Sequence, residues 1–240
     1  MKLVRELHEN WPLATEMQKL QARLWRICRT DDLKVILFTS ALRGEGKSTT
    51  VAHVAAMIAL HPDRKIVVVD MDLRRPQIHV HYETPVAPGL SDVILKKQSL
   101  DRCLRKTELP NLDLLVAGTR MPRAEDVLNS PEMRELIIEL RRRYDLVIID
   151  TPALVPVADA SGFIQHSDGV VLVVMAGRST RPHVARAREL CLGMGARILG
   201  VVVGNIQEAA PEYYNVKHYR DYENVSDLKL EILPESQEEK

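Results

Sequence analysis

An apolar run of strand length, Val35-Ile36-Leu37-Phe38, leads into Ser40-Ala41-Leu42-Arg43-Gly44-Glu45-Gly46-Lys47-Ser48-Thr49, and a helical pattern follows from Ser48 to Leu60. Nothing else in the 240 residues limits the fold as tightly. Glycines at this spacing let a backbone close on an anion, so that successive N–H groups and the helix N-terminus face its negative charge. Lys47 adds a point charge there, and Ser48 offers a hydroxyl to Mg²⁺. Strand, loop and helix in this order make a P-loop, with Ala41 in place of its first glycine. The predicted phosphate cradle is Arg43, Gly44, Glu45, Gly46, Lys47, Ser48 and Thr49. Arg43 either adds positive charge at the phosphates or points to solvent.

Two further apolar runs end in acids: Val67-Val68-Val69-Asp70-Met71-Asp72-Leu73-Arg74-Arg75-Pro76 and Leu146-Val147-Ile148-Ile149-Asp150-Thr151-Pro152. Buried parallel strands of this kind put their terminal carboxylates at the carboxyl edge of the sheet, where ligands bind. Asp150 matches a Walker B acid, which holds Mg²⁺ directly or through water. Asp70 and Asp72 are two apart, a spacing that points both side chains one way on an extended segment. The same residues also fit a plain turn, with Asp72 capping it and Arg74 and Arg75 solvated.

The alternation of strands and helices predicts an α/β fold, a doubly wound, mostly parallel sheet of the P-loop NTPase type. Strands are expected at about 34–39, 65–70, 112–117, 145–150, 169–175 and 197–203. A first helix spans 14–29, with Met17, Leu20, Leu24 and Ile27 at helical spacing. Ser130-Pro131-Glu132 opens another near 131–143, and Gly193 and Gly195 close the helix before the last strand. The core must be aliphatic, because 45% of residues are apolar and only 4% aromatic. Cys28, Cys103 and Cys191 fit neither a disulfide framework nor a zinc site. His79 and His81 are expected in the loop after Asp72. No run of about 18 apolar residues appears, so the chain is not expected to span a membrane alone.

Formal net charge is zero but unevenly placed: residues 206–240 hold nine acidic and four basic groups, leaving 24 acidic and 29 basic groups in the body. That excess is too small to argue for nucleic acid. A P-loop nucleotide-binding domain with its N-terminal helix is expected over residues 1–207, followed by a flexible acidic tail over 208–240. Four of the six tyrosines, Tyr213, Tyr214, Tyr219 and Tyr222, lie within ten residues of that tail. A polar Tyr-rich segment can also pack on the body or on a partner.

The chain resembles the cytoplasmic domain of bacterial tyrosine kinases, the autokinases of capsule and exopolysaccharide synthesis. The likeness runs over roughly residues 12–205. Val69 to Pro76 is similar to the family's Walker A′ motif and Ile149-Asp150-Thr151-Pro152 to its Walker B. Gly89-Leu90-Ser91-Asp92-Val93, Leu109-Pro110-Asn111-Leu112-Asp113, and Asp159-Ala160 leading to Asp168-Gly169-Val170 also agree. The resemblance implies an ATP- and Mg²⁺-dependent kinase that phosphorylates its own tyrosine cluster. Lys47, Asp70, Asp72 and Asp150 would be catalytic, Ser48, Asp70 and Asp150 metal-binding, and Asn205 would lie beside the adenine. Asp70 would orient the attacking hydroxyl, with Asp72 supporting the metal or the tyrosine.

The resemblance also implies partners: the cytoplasmic segment of a membrane adaptor or polysaccharide co-polymerase, a tyrosine phosphatase and other copies of the chain. The location would be cytoplasmic, peripheral at the inner face of the bacterial plasma membrane. The family's ring-forming motif is Glu, Arg and Arg at intervals of three; here Glu16, Lys19 and Ala22 stand, with Arg23 one place late. Lysine loses bidentate carboxylate pairing and alanine loses the charge. A positioning ATPase of the deviant P-loop type is the runner-up, with a nucleotide-binding regulatory module behind it. Such ATPases carry a lysine where this chain has Leu42. A eukaryotic-type kinase is excluded by its missing motifs.

Overall fold

Seven strands form one sheet in the order β3-β4-β2-β5-β1-β6-β7 in the computed structural model, which describes residues 11–121, 128–155 and 164–206. They are β1 (Val35–Ser40), β2 (Ile66–Asp70), β3 (Arg105–Lys106), β4 (Leu112–Leu115), β5 (Leu146–Asp150), β6 (Gly169–Met175) and β7 (Ile198–Gly204). Every pairing is parallel except β3 with β4. The expected mostly parallel α/β sheet is therefore the fold, and the six anticipated strands fall within a few residues of their places. Asp159, Ala160 and the tyrosine cluster lie outside the described residues.

The strands are apolar throughout because both faces of the sheet are covered. Alternate residues of β1 divide between two cores: Val35 and Leu37 on one face, Ile36 and Phe38 on the other. The second face carries α1 (Trp11–Thr30) and α2 (Lys47–Ala59). In α2 every residue except Ser48 and Thr49 is buried, since α1 covers its outer side. The predicted stripe on α1 packs here: Leu24 is buried, and Met17, Leu20 and Ile27 lie against it. Arg64 stacks its guanidinium 4.5 Å from the Trp25 ring and donates to Gln21 Oε1 at 2.9 Å.

The opposite face is closed by α4 (Leu90–Ile94), α5 (Leu100–Cys103), α6 (Pro131–Arg143) and α7 (Arg181–Gly193). Ser130 caps α6 as predicted, its Oγ accepting from the Met133 N–H at 3.3 Å. Asp168 ties the amino ends together. Its Oδ2 accepts the Lys34 and Val35 N–H groups at 2.8 Å each, and its Oδ1 pairs with Arg141 at 2.7 Å. The three cysteines are buried free thiols.

Candidate active site

β1 ends at Ser40, and the chain turns through residues 41–46 before α2 begins at Lys47. Gly44 and Gly46 both have left-handed backbones, φ +76° and +81°. Residues with a Cβ adopt that conformation only with strain. The segment after β5 holds the start of the loop: Leu154 N–H donates to Ser40 O at 2.9 Å and Val155 N–H to Ala41 O at 3.1 Å. Inside the loop, Leu42 N–H donates to Glu45 Oε2 at 2.8 Å, and Ser40 Oγ–H to Leu42 O at 2.9 Å.

The acids arrive on neighbouring strands. Asp70 closes β2 and Asp150 closes β5, in register with each other, with Phe38 of β1 alongside Asp150. The Lys47 ammonium lies 2.5 Å from Asp150 Oδ1 and donates to Ser48 Oγ at 3.0 Å. Asp150 is fully buried, and its Oδ2 has no hydrogen-bond partner among the described residues. An orphaned carboxylate oxygen, a second carboxylate beside it and a nearby hydroxyl are hard oxygen donors of the kind Mg²⁺ takes. The residues present fit that ion.

The chain leaves the strand at Asp70, so the extended spacing does not continue to Asp72. Asp72 N–H donates back to Asp70 Oδ1 at 3.1 Å, and Arg75 N–H donates to Asp72 Oδ1 at 3.0 Å. Asp70 is 0% exposed, and its Oδ2 accepts the Gln77 and Ile78 N–H groups, each at 3.1 Å. Asp72 is half-buried and opens on the cleft. Burial and then the Asp150 charge push the Asp70 carboxyl well above the usual range, against the pull of its backbone donors and Lys47. Burial pushes Asp72 up to about 6, with Lys47 opposing and Asp150 adding to the rise.

A cleft of about 390 Å³ lies over this site, lined by the whole stretch from Arg43 to Thr49. Asp72, Arg75, Gln77 and His81 line it from across the loop. His79 and His81 lie on a single helical turn, α3 (Ile78–His81), rather than in a loop, and His81 Nε2 is 3.4 Å from Thr49 Oγ1. Asn205 stands apart from the lining: it follows β7 with φ +60°, and its Nδ2 donates to Ala176 O at 3.4 Å. Sequence reasoning missed Gln77, His81 and Ser179, the last of which reaches the loop from beyond β6. No local pattern marks them; only the strand order brings them in.

A family model described as an AAA domain matches residues 33–180. Tyrosine-protein kinase YwqD of Bacillus subtilis (strain 168) is 34% identical over 197 residues, which are 79% of this chain and 83% of the relative. This chain belongs to the bacterial tyrosine-protein kinase family. The solved chimerical protein CapA2B2 superposes with a TM-score of 0.76 at 31% identity, covering 82% of this chain and 88% of that one. The ParA family ATPase from Chlorobium tepidum TLS has the same fold more distantly. Its TM-score is 0.59 at 20% identity, over 71% of this chain and 72% of that one.

Proposed function

We propose that this kinase transfers the γ-phosphoryl group of ATP to its own tyrosines, Tyr213, Tyr214, Tyr219 and Tyr222. The observation that carries the reading is convergence: Lys47, Ser48 and Asp72 line one cleft, and Lys47 reaches behind it to the buried carboxylate of Asp150. Lys47 turns from Asp150 to the phosphate oxygens and neutralises their charge, while the loop amides hold them. Ser48 and Asp150, with Asp70 behind them, would hold Mg²⁺, which would supply further neutralisation of the phosphates. Such positioning and charge stabilisation provide most of the catalysis in phosphoryl transfer.

The remaining step is at the acceptor. A new bond forms from the phenol oxygen to phosphorus, the bond from phosphorus to the leaving ADP oxygen breaks, and the phenol proton passes to a carboxylate. Asp72 suits that last role better than Asp70. It opens on the cleft, and burial holds its pKa near 6, closer to the phenol's than an ordinary carboxylate's. Asp70 has both oxygens occupied by backbone N–H groups and anchors the loop that carries Asp72.

The same reading gives the chain a membrane-bound adaptor or co-polymerase segment as activator, a phosphatase as antagonist, other copies as assembly partners, and polysaccharide synthesis and export as the process it regulates. It would then work in the cytoplasm at the inner face of the membrane, where co-purification with such a subunit tests it. No described helix is long and apolar enough to cross a membrane. The positioning-ATPase alternative finds nothing specific at the site. Leu42 carries no charge there, and its backbone N–H serves Glu45.

The deciding experiment is phosphopeptide analysis after incubation with Mg-ATP, with and without the activating segment. Phosphate is expected on the tail tyrosines of the wild type and not on those of Lys47→Met. Bound ATP without phosphotyrosine, activator present, would reduce the chain to a nucleotide switch.

A further inference from the structure

Glu45 is expected from its place in the P-loop to face the ligand, yet its side chain is turned inward and is 1% exposed. One carboxylate oxygen accepts the Leu42 N–H at 2.8 Å, inside the loop. The other accepts a hydroxyl proton from Ser179, 134 residues away, at 2.5 Å. Ser179 lies in the turn between β6 and α7, where its Oγ also accepts the Met175 N–H at 2.8 Å. A serine hydroxyl has one proton, so accepting from Met175 leaves that proton to point at Glu45. Donors thus converge on Glu45 from both sides, the Met175 N–H through Ser179 from the end of β6 and the Leu42 N–H from within the loop. The neighbouring Arg178 reinforces this link, donating to Arg43 O at 3.2 Å. Its guanidinium lies 2.9 Å from where a Cβ on Gly44 would stand.

We infer that Glu45 and Ser179 are positioning residues, which hold the P-loop amides in the arrangement that accepts phosphate and keep a negative charge out of the cleft. The inference rests on the reading of the cleft as a nucleotide site. A buried carboxylate that loses one of two donors leaves a group unsatisfied, and water is its nearest replacement. For Glu45 that means turning outward toward the cleft, where its charge opposes the phosphates it helped to admit.

The test is binding of mant-ADP in MgCl₂, with KM and kcat for ATP and the thermal midpoint of each protein. Ser179→Ala should weaken mant-ADP and raise KM by about tenfold, the scale of one lost charge-assisted hydrogen bond, with kcat at saturating ATP within about twofold of wild type. Ser179→Thr keeps the hydroxyl and should restore binding. Unchanged affinity in Ser179→Ala, or an equal loss in Ser179→Thr, would overturn the inference. Folded wild type that binds no mant-ADP would instead remove the nucleotide reading, and the inference with it. Binding that behaves as expected in a chain forming no phosphotyrosine would keep the inference and discard the kinase reading.

Discussion

Asp70 and Asp72 show how much two residues of the same type can differ. In sequence they are a pair; in the structure one is a buried anchor and the other opens on the cleft. Asp72→Asn should leave mant-ADP affinity near wild type and reduce tyrosine phosphorylation at least about a hundredfold, the usual weight of a proton acceptor. Asp70→Asn should act differently, because one of its two atoms becomes an NH₂ group facing a backbone N–H. It should cost about 1–3 kcal/mol in denaturant unfolding as well as activity. The pH dependence follows from Asp72's raised pKa. Between the ordinary carboxylate range and about 6 the folded protein binds a proton that the unfolded chain does not, so stability falls as pH rises through that window. The difference in stability between wild type and Asp72→Asn should shift by at most about 3 kcal/mol across it, less where solvent screens the charge. Differential scanning calorimetry in nucleotide-free buffer reads that shift. The sequence could not separate these two roles, because the split depends on the backbone turning at Asp70, where the Asp72 N–H bonds back to Asp70 Oδ1.

Among the elements, legibility tracked length and apolar content. β1, β2, β5 and β6 read clearly because both faces of each are covered and the runs stay apolar. The strand at Arg105–Lys106 did not, being two residues long and charged; the antiparallel pairing with β4 makes it a strand. The turns α3, α4 and α5 are four or five residues each, too short for helical spacing to register. β1 matters most, because it carries the P-loop at its end. Ile36, fully buried in the face under α2, should cost about 2–5 kcal/mol when replaced by alanine, measured by urea unfolding.

At the scale of the whole chain, the strand order does what no motif does alone. β2, β5 and β1 stand side by side, so an acid from each of the first two and the loop from the third share one edge. The P-loop and Walker B signatures made that much of the site legible, whereas Ser179 enters only because β6 lies against β1. The assignment of the tyrosines belongs to this scale too. Replacing Tyr213, Tyr214, Tyr219 and Tyr222 together by phenylalanine should abolish autophosphorylation and leave mant-ADP binding unchanged, which phosphotyrosine blotting and fluorescence titration would check. Persistent phosphorylation of that variant would move the acceptor elsewhere.

The ammonium of Lys47 bonds Asp150 Oδ1 and Ser48 Oγ, on the two side chains that the proposed magnesium ion would also use. A lysine cannot neutralise the nucleotide and balance those oxygens together, so one cation must replace the other. The two ligands are thereby thermodynamically linked, each raising affinity for the other by the same factor. Asp150→Asn releases the lysine in advance. That variant should bind metal-free mant-ADP more tightly than wild type does and gain less from added magnesium, an exchange of partners measurable in a titration with and without chelator.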